Sequence, residues 1–184
     1  MKTFTGVASL VIALGVALTQ FPTSLFGQTN SAAKPHLPAD LEHLLENADE
    51  FVLLSLDPTP DFEHESKNTF RKYPILGQTE IKVASERVNL VAALNEGISA
   101  RGVARTRSNG VVFLPPPLPD CFNPRHGIRG KKDGETVEFL ICFECEQIKI
   151  NSSNGTDWFF QTSKKPAAIF NRVLKKAGVR LPKN

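Results

Sequence analysis

The sequence has no long hydrophobic run, few cysteines and no catalytic constellation, and each shortage excludes a class of protein. Its longest apolar run, residues 7–18, is about a dozen residues long, whereas a membrane-spanning helix needs about 20. No cysteine follows this run, so a lipoprotein anchor is not expected. Arg101, Arg105 and Arg107 lie close together without interleaved aromatic side chains to stack on bases, which argues against a nucleic-acid partner.

The first 27 residues have the pattern of a secretory signal peptide. A basic start at Lys2 precedes the apolar run, and polar and turn residues follow it. We expect cleavage after Gly27. Leu25 stands where a small residue is usual, so an uncleaved anchor is the alternative. Export to the periplasm or the extracellular space is therefore predicted, with no stable membrane span after cleavage.

The remaining chain is long enough for one domain with its own core. Residues 28–38 are rich in small polar residues and proline, which indicates a flexible lead-in. Residues 39–184 are expected to form a single α+β domain. Apolar spacing predicts helices at 39–47 and 85–96, the second ending at Gly97. Short apolar runs predict strands at 51–56 and 75–83.

The second half of the chain predicts an antiparallel sheet. Asp133-Gly134 supplies the positive φ angles of a hairpin turn, so residues 121–150 should fold back on themselves about this pair, with 146–150 continuing the second strand. A return strand is expected at 158–162 and a final helix between Pro166 and Gly178. The predicted fold is an antiparallel sheet backed by about three helices.

All three cysteines lie in the predicted hairpin. Folding it about Asp133-Gly134 places Cys121 opposite residues 144–146 and His126 opposite residues 139–141. The leading hypothesis is a structural disulfide between Cys121 and Cys145, with Cys142 as a buried thiol, in an oxidising compartment. Closing a loop of this length contributes about 3 kcal/mol in the chain-entropy model.

Three other arrangements of these residues remain open. Cys121, His126, Cys142 and Cys145 have the ligand types of a tetrahedral zinc site, although a bulge near Glu144 would be needed to bring Cys142 to the same face as Cys145. A redox pair Cys142-Phe-Glu-Cys145 is the next alternative, but its flanks are typical of strands rather than of the helix N-terminus that lowers a thiol pKa. The last is a nucleophilic Cys142 or Cys121 with His126 as base.

Two arginines stand beside His126 on the first strand of the hairpin. Arg125 and Arg129 are candidates for binding an anion, and the competing interpretation is that they pair with carboxylates across the sheet, for example with Glu138.

Several motifs resemble a family of uncharacterised exported bacterial proteins found in planctomycete-like genomes. The similar stretches are residues 121–129 (Cys-Phe-x-Pro-Arg-His-Gly-Ile-Arg), 141–145 (Ile-Cys-Phe-Glu-Cys) and 170–181, with 75–81 upstream. The resemblance spans residues 51–182. It implies export and a single domain, and it assigns no activity or catalytic residue.

Together these patterns predict an exported soluble domain with a structural or binding role, organised on the cysteine-containing hairpin. A non-enzymatic role is favoured, and no cofactor is expected unless zinc is bound. The alternatives are a zinc-binding protein and a periplasmic thiol-redox or hydrolytic enzyme. The sequence names no partner.

Overall fold

The structure is a computed structural model that describes residues 36–62, 68–101, 104–108, 111–112 and 121–183. All of them belong to one compact unit, Ala33–Asn184. The predicted signal peptide, and the predicted lead-in up to residue 35, lie outside the described residues. No helix in the described ranges is long and apolar enough to cross a membrane.

The predicted α+β class is confirmed. The described ranges contain three helices: α1 (Ala39–Glu46), α2 (Ala84–Arg101) and α3 (Ala167–Lys176). They also contain nine strands: β1 (Glu50–Leu56), β2 (Thr69–Phe70), β3 (Tyr73–Glu80), β4 (Ala104–Ser108), β5 (Val111–Val112), β6 (His126–Lys132), β7 (Glu135–Cys142), β8 (Gln147–Ser152) and β9 (Asp157–Gln161). The strands form an antiparallel sheet in the order β2-β3-β1-β6-β7-β8-β9-β4-β5.

The hairpin turn stands where the sequence predicts it. Asp133 and Gly134 both have positive φ angles, 50° and 83°, which is the backbone of a two-residue turn matched to the twist of its strands. The turn sets the register of β6 against β7. His126 therefore lies opposite Ile141, inside the predicted window of residues 139–141.

The main core lies between one face of the sheet and the three helices. Alternate residues of β7, Phe139 and Ile141, point into it and belong to the same cluster of buried side chains as Phe170 and Leu174 of α3. The intervening Leu140 belongs to a smaller cluster of buried side chains that also contains residues of β1 and Phe70. The middle of β7 is thus buried on both faces, as its apolar run predicts.

Two sequence-based boundaries are wrong. Residues 146–150 do not continue the second hairpin strand, because residues 143–146 form a turn and the chain returns as the separate strand β8. Helix α2 does not end at Gly97 but runs on to Arg101. Gly97 is retained inside the helix because a Cβ there would come within 2.4 Å of the Thr162 hydroxyl oxygen and 2.8 Å of Pro166 Cγ.

Candidate functional site

A disulfide joins Cys142 to Cys145 across the turn between β7 and β8, with the two Cα atoms 5.2 Å apart. Cys121 is a free and exposed thiol. The predicted pairing of Cys121 with Cys145 is therefore wrong, although the expected one disulfide and one thiol are both found. The spare thiol is Cys121 rather than the buried Cys142.

The reason for the different pairing is the turn. The prediction treated the second strand of the hairpin as running straight on to residue 150, so that Cys142 and Cys145 would face opposite sides. Instead β7 ends at Cys142, and Glu146 takes a left-handed φ of 57°. This reversal returns Cys145 to Cys142, and it occurs at the position where a bulge was required.

Each sulfur of the disulfide accepts a backbone hydrogen bond. The N–H of Cys145 donates to Sγ of Cys142 at 3.0 Å, and the N–H of Asn123 donates to Sγ of Cys145 at 3.4 Å. Such donors favour a charged thiolate over a neutral thiol. These two donors therefore favour the thiolates that form when the bond is reduced, while the burial of both cysteines acts in the opposite direction.

The disulfide contributes less to the closure of its own turn than a bond between distant segments would. Its two cysteines are three residues apart, so the chain-entropy model gives about 2 kcal/mol, less than for a long loop. The turn is already closed by a hydrogen bond from Glu146 N–H to the Phe143 carbonyl and by the pairing of Cys142 with Gln147. A purely mechanical role thus explains only part of this arrangement.

His126 is packed beside the disulfide and is only 5% exposed. Its ring contacts the rings of Phe143 in the turn and Phe170 in α3, with centroid distances of 5.2 and 5.8 Å. Its Nε2 is hydrogen-bonded to Oδ1 of Asn171 at 2.9 Å. Burial lowers the pKa of His126 from 6.5 to about 4, so the imidazole is neutral at physiological pH.

A pocket of about 300 Å³ opens between β6, the β7–β8 turn and α3. Its wall includes both Cys142 and His126, together with the charged side chains of Arg125, Glu144 and Lys175. A volume near 300 Å³ is at the lower end of the range of small-molecule sites. The pocket therefore brings a disulfide, a neutral imidazole and three charges around a space that fits a small molecule or a short side chain.

The two arginines predicted as anion ligands are both paired with carboxylates. Arg125 forms an ion pair with Glu144 of the turn. Arg129 Nε donates to Glu138 Oε1 at 3.0 Å, and its guanidinium lies over the ring of Phe70. Glu138 is the carboxylate that the competing interpretation gave as an example of a partner for these two arginines, and it pairs with Arg129. Only Arg125 lines the pocket.

The zinc hypothesis is not supported by the geometry. Among the residues that the structure describes, no group of three or more His, Cys, Asp or Glu side chains is placed to hold a metal ion. Cys142 and Cys145 are bonded to each other, and His126 is bonded to Asn171. The predicted ligands Cys121, His126, Cys142 and Cys145 are not gathered.

Sequence reasoning missed Asn123, Asn171 and Lys175 as parts of the site. Asn171 follows Phe170 at the edge of the apolar stripe of α3, where a polar residue is typical of any solvent-exposed helix position. Asn123 acts through its backbone N–H, which carries no side-chain signal. The packing of α3 brings Asn171 and Lys175 to the pocket, and the Asn123 N–H reaches Cys145 from the segment before β6.

No protein-family model, curated protein or solved structure matches this chain.

Proposed function

We propose that this chain is an exported domain that exchanges disulfides with thiols at Cys142–Cys145. The observation that carries the proposal is the disulfide itself: its Cys142 lines a pocket, and each of its sulfurs receives a backbone hydrogen bond. Thioredoxin-type pairs obtain such stabilisation from a helix N-terminus. Here the β7–β8 turn and the segment around Asn123 supply the N–H groups.

The exchange balances without a further reactant. A substrate thiolate entering the pocket attacks Sγ of Cys142, the Cys142–Cys145 bond breaks, and Cys145 leaves as a thiolate that the Asn123 N–H stabilises. A second substrate thiolate then attacks the mixed disulfide, forming a substrate disulfide and releasing Cys142 as a thiolate. Exchange with another disulfide reverses these steps and restores the Cys142–Cys145 bond.

Export is part of the proposal and rests on the signal-like first 27 residues. A disulfide is compatible with an oxidising compartment outside the cytoplasm. Membership of the exported bacterial family that the motifs resemble is likewise a proposal. The mass of the chain recovered outside the cytoplasm tests the export step: cleavage after Gly27 gives a mature chain that begins at Gln28, whereas a retained anchor gives the full mass.

The test of activity is disulfide transfer to a dithiol peptide in a buffer that contains a small disulfide. The Cys121→Ser chain keeps the proposed machinery and is expected to accelerate transfer, while Cys142→Ser in the same background is expected to lose the acceleration. Equal rates with and without the protein would refute the exchange function.

The structural or binding role predicted from the sequence is the second candidate. The packing of His126 between Phe143 and Phe170 favours it, because this ring cluster ties the turn to α3 and gives the pocket a rigid wall. A chain that binds a small molecule in this pocket but never exchanges its disulfide would support this candidate over the first.

A further inference from the structure

Positive charge collects on the side of the pocket that α3 forms. Residues 164–183 contain seven basic residues and no acidic one: Lys164, Lys165, Arg172, Lys175, Lys176, Arg180 and Lys183. Asn171 and Lys175 line both the disulfide pocket and an adjoining shallow cleft with Arg172 and Lys176. The cationic face of α3 is therefore continuous with the entrance to the disulfide.

The pocket itself carries a net positive charge. Arg125 and Lys175 contribute two positive charges and Glu144 one negative charge. Glu144 is engaged by Arg125, and Lys175 is exposed and has no ion pair among the described residues. Nε of Arg125 is buried and donates a hydrogen bond to no acceptor among the residues that the structure describes. The pocket that Cys142 lines thus has a cation without an ion pair, Lys175, and a hydrogen-bond donor without an acceptor, Nε of Arg125.

From these charges we infer that the thiols which exchange with Cys142 are small and carry a carboxylate. This inference rests on the proposed exchange function. The carboxylate binds beside Lys175, with amide donors available from Asn123 and Asn171, while the thiolate of the same molecule reaches Cys142. The volume of about 300 Å³ admits a molecule of this size and excludes a folded domain.

The test measures second-order rate constants for reduction of the disulfide by three small thiols: mercaptopropionate (anionic), mercaptoethanol (neutral) and cysteamine (cationic). The proteins are the Cys121→Ser chain alone and the same chain with Lys175→Glu or with Lys164→Glu. Lys164 is the matched control, because it is an exposed lysine with no ion pair among the described residues, and it lies outside both the disulfide pocket and the adjoining cleft. Unchanged unfolding temperatures check that both variants keep the fold.

The informative quantity is the ratio of rate constants between two proteins for one thiol, since the intrinsic reactivity of that thiol cancels. Reversing one charge a few ångströms from the bound carboxylate is expected to slow mercaptopropionate roughly tenfold. Lys175→Glu should leave mercaptoethanol within twofold and accelerate cysteamine. Lys164→Glu should change all three rates by less than twofold.

Two results overturn the inference, and they are distinguishable. If all three thiols reduce the disulfide and Lys175→Glu affects them equally, the carboxylate preference is wrong and the exchange function stands. If none of the three thiols reduces the disulfide in the folded chain, the exchange function fails and the inference fails with it. A tenfold loss confined to mercaptopropionate and to Lys175→Glu supports both.

Discussion

The backbone N–H of Asn123 donates a hydrogen bond to Sγ of Cys145 across 22 residues of sequence. This contact ties the segment before β6 to the turn after β7. It places Cys121, two residues upstream of Asn123, at the same end of the hairpin as that turn. The side-chain amide of Gln147 also donates to the Cys121 carbonyl at 3.4 Å. Cys121 is thus held near the disulfide without being part of it.

The pairing of the cysteines predicts a simple peptide map. Trypsin releases Cys121 in residues 108–125, and Cys142 with Cys145 in residues 133–149. Without reduction, the second peptide should be found alone, lighter than its reduced form by two hydrogen atoms, and the first should carry an alkylated Cys121. A cross-linked pair of these two peptides would instead show that Cys121 is bonded to Cys142 or Cys145 and would contradict the Cys142–Cys145 bond.

The buried imidazole predicts a loss of stability in mild acid. Unfolded His126 binds a proton below pH 6.5, whereas the folded chain resists protonation until about pH 4 because burial lowers its pKa. Protons therefore favour the unfolded chain in this window. The free energy of unfolding should fall by about 1.4 kcal/mol per pH unit, about 3 kcal/mol in all, between these two values.

Urea unfolding at several pH values measures this effect in matched variants. His126→Gln should flatten the slope between pH 6.5 and pH 4, whatever its effect on stability at neutral pH. His43→Gln is the control, since His43 is exposed on α1, and it should keep the wild-type slope. Parallel slopes for the wild type and His126→Gln would show that His126 is not buried in its neutral form.

Gly97→Ala should destabilise the protein even though alanine is the better helix former. In a solvent-exposed helix, Gly→Ala raises the free energy of unfolding by about 1 kcal/mol. At this position the new methyl group would instead collide with Thr162 and Pro166. Overpacking of this kind costs about 1–3 kcal/mol. Thermal unfolding should show a lower midpoint for Gly97→Ala and little change for Asn89→Ala on the exposed side of the same helix. A raised midpoint for Gly97→Ala would contradict the packing of α2 on the segment after β9.

Glu138 is expected to contribute more to stability than an ordinary surface carboxylate. It accepts hydrogen bonds from Nε of Arg71 at 2.6 Å and from Nε of Arg129 at 3.0 Å, and its side chain is 17% exposed. Glu138→Gln leaves both arginines without a counter-charge, and we expect a loss of about 1–2 kcal/mol. Glu50→Gln removes a single ion pair with Lys131, which is more exposed than those of Glu138. This change should lower the free energy of unfolding by less than about 0.5 kcal/mol. Equal losses in chemical unfolding would contradict the difference.

The sequence predicts the β6–β7 hairpin well because the information is local. Asp133-Gly134 favours its turn whatever surrounds it, and the alternation of Phe139, Leu140 and Ile141 then sets which faces are buried. The order of the strands on either side of this hairpin depends instead on contacts between distant segments, which no local pattern specifies.

The sequence does not predict the β7–β8 turn. Because this turn was missed, the disulfide was predicted between the wrong pair of cysteines. Residues 143–146 contain no glycine, proline or asparagine to mark a reversal. The turn is stabilised by the packing of Phe143 on Phe170 and by the disulfide, which offset the cost of a left-handed φ at Glu146. These are tertiary and covalent effects, so a pattern of apolar residues extends β7 straight through them.

The proposed function requires Cys142–Cys145 to be an exchangeable bond rather than a permanent one. A redox titration of the folded Cys121→Ser chain tests this, in buffers of defined thiol and disulfide ratio and with the free thiols counted after alkylation. The hydrogen-bond donors to the two sulfurs favour the reduced form, so we expect a midpoint above about −300 mV, the level below which structural disulfides of secreted proteins lie. A midpoint below that level, or reduction only after the chain unfolds, would contradict it.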